Sequence, residues 1–153
     1  MTRMNRKLEY ALMALKHMSL KVPGQLTSAK EVVSNTGVPF DATARVLQQM
    51  AQQGLLRAEH GAHGGYSIIK DLSKVSLLEL HDMILGPLDL VKCMQESADC
   101  ELTSTCNIQS PIAALSRRLS DFYRSITLAE LLRIKESPRS IAPESRVVDG
   151  SVI

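Results

Sequence analysis

Leu55-Leu56-Arg57-Ala58-Glu59-His60-Gly61-Ala62-His63-Gly64-Gly65-Tyr66-Ser67-Ile68-Ile69 is the stretch from which the rest of the chain is read. Leu55 to Glu59 has the composition of a short strand, His60 to Gly65 that of a tight glycine-rich loop, and Tyr66 to Ile69 that of a returning strand. A glycine-rich loop that cradles nucleotide phosphates needs a strand before it and a helix after it. Here a strand follows, so a β-hairpin is expected and nucleotide binding is disfavoured.

The residues ahead of the hairpin give it a context. Ser28-Ala29-Lys30-Glu31 has the form of a capping box, in which the serine hydroxyl and the glutamate carboxylate each satisfy a free backbone N–H at a helix start. A helix is expected from there, with Ala29, Val32 and Val33 on its apolar side, ending at the turn Asn35-Thr36-Gly37. Pro39 opens another, with Val46, Leu47 and Met50 buried and Gly54 at its end. Two short helices joined by a tight turn are a helix-turn-helix candidate, although any helical hairpin in a bundle shares the pattern. A β-hairpin directly behind them is a wing. On this geometry Phe40, Asp41, Thr43, Ala44, Arg45 and Gln48 face outward into a DNA major groove, where Arg45 and Gln48 can donate to base edges. Ser28 and Pro39 at the two helix starts join them as candidate DNA contacts. On the wing, His60 and the backbone N–H groups around Gly61, His63 and Gly64 can reach phosphates or the minor groove.

Upstream, Met4, Leu8, Ala11, Leu12, Leu15 and Met18 recur at helical spacing without Gly or Pro between them, so a first amphipathic helix is expected from Met4 to Leu20. Arg3, Arg6 and Lys7 oppose the dipole of that helix, which suits either phosphate contact or a solvated end. Charge is divided along the chain: residues 1–70 hold nine Lys and Arg against four Asp and Glu, and residues 71–134 hold six against nine. A basic half joined to an acidic half suits a protein that meets a polyanion with one part and does something else with the other. With 153 residues, 44% of them apolar, the chain can build one core. No apolar run reaches the roughly 20 residues of a membrane span, and no signal-peptide block follows the basic amino terminus, so a cytoplasmic protein with no membrane partner is expected.

Downstream, Ser76-Leu77-Leu78-Glu79 is a second capping box, opening a helix that runs to about Leu85 and stops at Gly86-Pro87. All three cysteines follow, Cys93, Cys100 and Cys106, separated by six and five residues in a polar loop. Clustered thiols in a reducing compartment point to a metal, a cluster or a redox switch before a structural disulfide. The spacing is wider than the Cys-x-x-Cys of zinc ribbons, and three thiolates leave a fourth ligand to be found elsewhere. Local candidates are Glu96, Asp99, Glu101 and Gln109. After Pro111, Ile112, Leu115, Leu119, Phe122 and Ile126 step by three and four, the narrow seam of a coiled-coil-like helix pair. One helix cannot bury that seam alone; a homodimer interface or packing on the first helix would cover it. Thr127-Leu128-Ala129-Glu130 caps a last short helix, and the aperiodic tail beyond is expected to be mobile.

The fold expected is mainly α with a small β wing: a winged helix-turn-helix DNA-binding region over 1–70, a cysteine-loop sensor and dimerisation region over 71–134, and a mobile tail over 135–153. In their order, the helix-turn-helix, Gln53-Gly54-Leu55-Leu56-Arg57, the loop from His60 to Tyr66, Ile84-Leu85-Gly86-Pro87-Leu88, the three cysteines and Ile126-Thr127-Leu128-Ala129-Glu130-Leu131 resemble the winged-helix iron-sulfur regulators typified by IscR and NsrR. The likeness covers residues 3 to about 134. It implies a dimeric bacterial transcription regulator that binds operator DNA, carries an iron-sulfur cluster on Cys93, Cys100 and Cys106 (4Fe-4S favoured, 2Fe-2S the other type), and changes its DNA affinity with cluster state. The resemblance also offers Glu9: in the nitric-oxide-sensing branch, an acidic residue on the first helix of the opposite subunit ligates the cluster, and Glu9 falls there when Tyr10-Ala11-Leu12 is aligned. The other reading of Glu9 is an ordinary i,i+3 or i,i+4 helix contact. Three departures stand in this chain. His60 replaces a usual Arg and His63 a usual Gly, the first two cysteines lie one residue further apart, and Gln109, an amide, stands where the IscR type has a histidine ligand.

An alternative keeps the DNA binding and replaces the cluster by zinc, with His81 as fourth ligand, or by a thiol switch. Enzyme function is not expected, since the four histidines show no hydrolase spacing and no nucleophile elbow or phosphate loop is present. His17 is expected on a helix surface without a special role.

Overall fold

The computed structural model describes residues 3–94 and 100–134. The element order is α1 (Arg6–Ser19), α2 (Ala29–Thr36), α3 (Phe40–Gln52), β1 (Leu56–Glu59), β2 (Gly65–Ile68), α4 (Leu77–Leu85), a 3-10 turn (Lys92–Met94), α5 (Gln109–Ser125) and α6 (Leu128–Leu131). Mainly α with a two-stranded antiparallel sheet, this is the expected class. The tail over 135–153 and the candidate ligands Glu96 and Asp99 lie outside the described residues.

The helix starts follow local chemistry. Asn5 caps α1 by accepting from the Lys7 N–H at 2.9 Å, so the helix begins two residues later than expected and Met4 is exposed. Leu8, Ala11, Ala14, Leu15 and Met18 form its buried stripe. Ser28 caps α2 through the Glu31 N–H, but the Glu31 carboxylate does not close the box: it turns to Lys21 and His17. At α4 both halves of the box form, the Glu79 carboxylate accepting from the Ser76 N–H at 2.7 Å. Gly37 ends α2 in the left-handed region at φ 73° and donates to the Val33 carbonyl, which lets the chain reverse into α3.

Val32, Val46, Leu47, Met50, Leu55 and Leu56 pack with the α1 stripe, and Leu77, Leu80, Ile84 and Leu128 from the second half enter the same core. Each fully buried leucine contributes about 1.5–3 kcal/mol. The wing is anchored to the helix-turn-helix by a pair of backbone bonds: the Thr27 N–H donates to the Tyr66 carbonyl at 2.8 Å and the Tyr66 N–H returns to the Thr27 carbonyl at 2.9 Å. That bridge holds β2 against the start of α2. Within the wing the register is Leu56 to Ile68 through Glu59 to Gly65.

The contrast lies at α5. Ser116 is its one buried residue, while Leu115 and Phe122 are 52% and 59% exposed and Ile112 and Leu119 half-buried. The helix starts two residues before Pro111, whose missing N–H is harmless in a first turn.

Candidate nucleic-acid interface and cysteine site

The outward face of α3 carries Phe40, Asp41, Arg45 and Gln48, all exposed, with Pro39 at the helix start. Pro39, Asp41, Arg45 and Gln48 line an open groove of about 630 Å³ together with Gln49, Gln52 and, from α1, Lys7. A guanidinium, three side-chain amides and an ammonium on one concave face are donors suited to base edges and phosphates. Sequence reasoning missed Gln49 and Gln52. Thr43 is a correction: it is fully buried, and its hydroxyl donates to the Pro39 carbonyl at 2.9 Å, so it cannot touch DNA. Ser28 is half-buried and its hydroxyl is engaged in capping. On the wing His60, Gly61 and His63 are exposed and Gly64 half-buried. Gly64 needs its missing side chain, since a Cβ there would collide with the Glu59 carbonyl oxygen.

Lys21, Glu31 and His17 brace this interface from behind. Lys21 Nζ donates to both Glu31 carboxylate oxygens at 2.7 and 2.9 Å, and His17 Nε2 lies 3.1 Å from Oε1. The Lys21 hydrogen bond, opposed by partial burial and assisted by His17, holds the Glu31 carboxyl below the usual carboxylate range. His17 is therefore half-buried and partnered, contrary to expectation. The clamp joins α1 to α2 and so fixes the motif on its support.

Cys93 sits in the 3-10 turn and Cys106 just ahead of α5; both line a cavity of about 280 Å³ with Val91, Met94, Ile108, Gln109, Ile112 and Ala113. Cys100 is half-buried but not part of that cavity's lining, and all three thiols are free. Among the described residues no three His, Cys, Asp or Glu side chains converge on a metal-sized site. For the cluster that the resemblance implies, the donor set fits in kind, three thiols on one segment, and the fold brings two of them to one cavity. Glu9 pairs with Arg6 at 3.1 Å, the ordinary i,i+3 contact. His81 is not brought to the thiols: its Nδ1 meets the Gly86 carbonyl at 3.1 Å, and its ring packs edge-on against Tyr123 with centroids 6.0 Å apart.

The model of a family of iron-dependent transcriptional regulators, Rrf2, matches residues 4–134. This chain belongs to the Rrf2 family. Among Rrf2 relatives, IscR of Escherichia coli O1:K1 / APEC is 25% identical over 134 residues, covering 88% of this chain and 82% of IscR. The structure of CymR, the global cysteine regulator of B. subtilis, superposes with a TM-score of 0.65 at 19% identity, over 87% of this chain and 98% of CymR. T. potens IscR gives 0.59 at 18% identity, over 97% of this chain and 94% of its own. The structural likenesses show the winged-helix fold; the family match shows that this Rrf2 chain is a DNA-binding transcriptional regulator, and the matched proteins are regulators rather than enzymes. Among the described residues no helix is long and apolar enough to cross a membrane.

Proposed function

We propose that this Rrf2 regulator is a cytoplasmic homodimer whose operator affinity is controlled by an iron-sulfur cluster held by Cys93, Cys100 and Cys106. Residues 1–70 read the DNA and residues 71–134 sense and dimerise. The observation that carries the reading is the position of the thiols: Cys93 and Cys106 line one cavity at the foot of α5, the helix whose apolar seam the described residues leave partly exposed. A change of ligation at these thiols acts on the end of α5 through Ile108 and Ile112, which line the same cavity, and thereby on the spacing of two recognition helices in a dimer. A cluster supplies a centre that reacts with oxidants or nitric oxide. The fourth ligand is Glu9 of the second copy. An exposed Arg6–Glu9 pair contributes less than about 1 kcal/mol, so that carboxylate can be given up to a metal at little cost. On the DNA side, Arg45 and Gln48 read base edges, with Pro39, Phe40 and Asp41 flanking them and the wing on the backbone.

Protein purified without oxygen tests this by absorption and EPR spectroscopy with iron and sulfide assays. Charge-transfer bands with stoichiometric iron and sulfide are expected, and loss of the cluster type in Glu9→Ala identifies the fourth ligand. A second reading keeps the DNA binding and replaces the cluster by a thiol switch, which is favoured by Cys93 and Cys106 lining one cavity that Cys100 does not line, or by zinc, which would need a fourth ligand other than His81. Colourless protein with stoichiometric zinc, or with a reversible disulfide and no metal, would establish it.

A further inference from the structure

The hairpin that completes the winged helix has an unfavourable charge balance for a DNA contact. Between Arg57 and Lys70 the one formal charge at neutral pH is the carboxylate of Glu59, and the loop that joins the two strands carries His60 and His63. Both residues are exposed, and among the described residues neither ring is engaged in a hydrogen bond or ion pair. The backbone beneath them is fixed. The Gly64 N–H donates to the Gly61 carbonyl at 3.1 Å, Gly61 holds φ 117°, and Tyr66 is bonded to Thr27 ahead of α2. Charged groups on the elements packed here are Arg57 and Glu59 of β1, Lys30 and Glu31 of α2, and Lys70 and Asp71 after β2. Glu31 is engaged by Lys21 and His17, which leaves Glu59 as the carboxylate beside the loop.

We propose that the wing grips DNA phosphate through His60 and His63 in their imidazolium forms, so that operator affinity rises as pH falls across the histidine range. With neutral rings the tip presents the Glu59 charge to a polyanion and is repelled; with both rings protonated its sign reverses and each ring offers two N–H donors. A phosphate beside an imidazole favours its charged form, so binding takes up protons. The loop backbone holds both residues at the tip, so binding has their side chains rather than the backbone to order. The proposal rests on the winged helix binding duplex DNA.

The experiment is fluorescence anisotropy with a duplex selected by the protein from a random-sequence pool, at fixed ionic strength, from about pH 6 to about pH 8. Each exposed imidazolium–phosphate contact is expected to tighten binding about two- to fivefold, and to steepen the dependence of log K on log salt by about 0.9 at the acid end. His60→Gln with His63→Gln should flatten the profile at the wild-type alkaline level, because an amide stays neutral at every pH tested. His60→Lys with His63→Lys should bind tightly at every pH. A glutamine double variant that keeps the wild-type pH profile, or a lysine double variant that binds no tighter than the glutamine one, would overturn the proposal. Failure of the wild-type protein to select any duplex at any pH would instead overturn the winged-helix DNA reading, and the proposal with it.

Discussion

The helix-turn-helix and α5 differ in how far the chain completes them. In the first, Val32, Val46, Leu47 and Met50 are buried to 1% exposure or less, a bridge locks the wing to α2, and a clamp locks α2 to α1. In the second, the apolar seam stands half in solvent, and the thiols at its foot are half-buried with no partner among the described residues. Isolated apolar residues on a surface are common, but a heptad-like row of them is a surface built for a partner. The helix-turn-helix is closed by packing within the chain, with Leu77, Leu80, Ile84 and Leu128 completing its core; on the proposed reading, the sensing part is completed by a second copy and a ligand. A regulator needs that division, because only the unfinished part can have two states of similar free energy.

The largest expected effect separates the two regions directly. Leu47→Ala should destabilise the fold by about 2–5 kcal/mol in denaturant titration, because it opens a cavity in a filled core. Leu115→Arg with Phe122→Arg should leave a cooperatively folding protomer and abolish the dimer in sedimentation, since both side chains project from a single chain. Leu119→Arg, at a half-buried position, reports both effects together. A dimer that survives the double change places the interface elsewhere. A smaller effect, about 1 kcal/mol, is expected for Glu31→Gln at neutral pH. The folded-state pKa of Glu31 is depressed, so its stabilisation is full above the ordinary carboxylate pKa and fades as pH falls through the lowered value. Thermal denaturation should therefore show the gap between wild type and variant closing on acidification; a gap independent of pH would deny the clamp its ionic character. The smallest effect concerns Thr27, whose buried hydroxyl has no hydrogen-bond partner among the described residues. Thr27→Val, nearly isosteric, should be neutral or stabilising by up to about 1 kcal/mol, and a clear loss of stability would reveal a partner for that oxygen.

How much could be read from the chain follows the range of each interaction. The Ser76–Glu79 box, the Gly37 turn and the Pro39 helix start are local and were legible. So was the α5 seam from Ile112 to Phe122, because a three-and-four rhythm is a property of one helix, whereas Ile126, expected to continue it, lies beyond the helix end and packs on the core. Thr43 was misread although its signal was present: 43, 46, 47 and 50 share one helical stripe, the buried one. His17 and Glu31 were missed for the opposite reason, since their contact joins two helices and competes with the capping box that local spacing suggested. The Thr27–Tyr66 bridge is equally nonlocal. At the candidate site, one groove brings Arg45 and Gln48 together with Lys7, and helix geometry adds Gln49 and Gln52, which spacing had not suggested. For the cysteines, spacing suggested one shared site, whereas the fold brings Cys93 and Cys106, and not Cys100, to the lining of one cavity where the 3-10 turn meets α5.

One measurement bears on the proposed control of DNA binding by the cysteine site: the affinity of oxygen-free protein for a selected duplex, before and after treatment with nitric oxide, which on the proposed reading removes a cluster, alongside Cys93→Ala, Cys100→Ala and Cys106→Ala. A change of about tenfold or more is expected in the wild type, a coupling of roughly 1.4 kcal/mol or more between thiol site and DNA face. The three variants should bind with the affinity of the cluster-free protein and not respond to nitric oxide. Equal affinity in both states of the wild type, or variants that bind as the untreated protein does, would contradict control of DNA binding by the cysteine site.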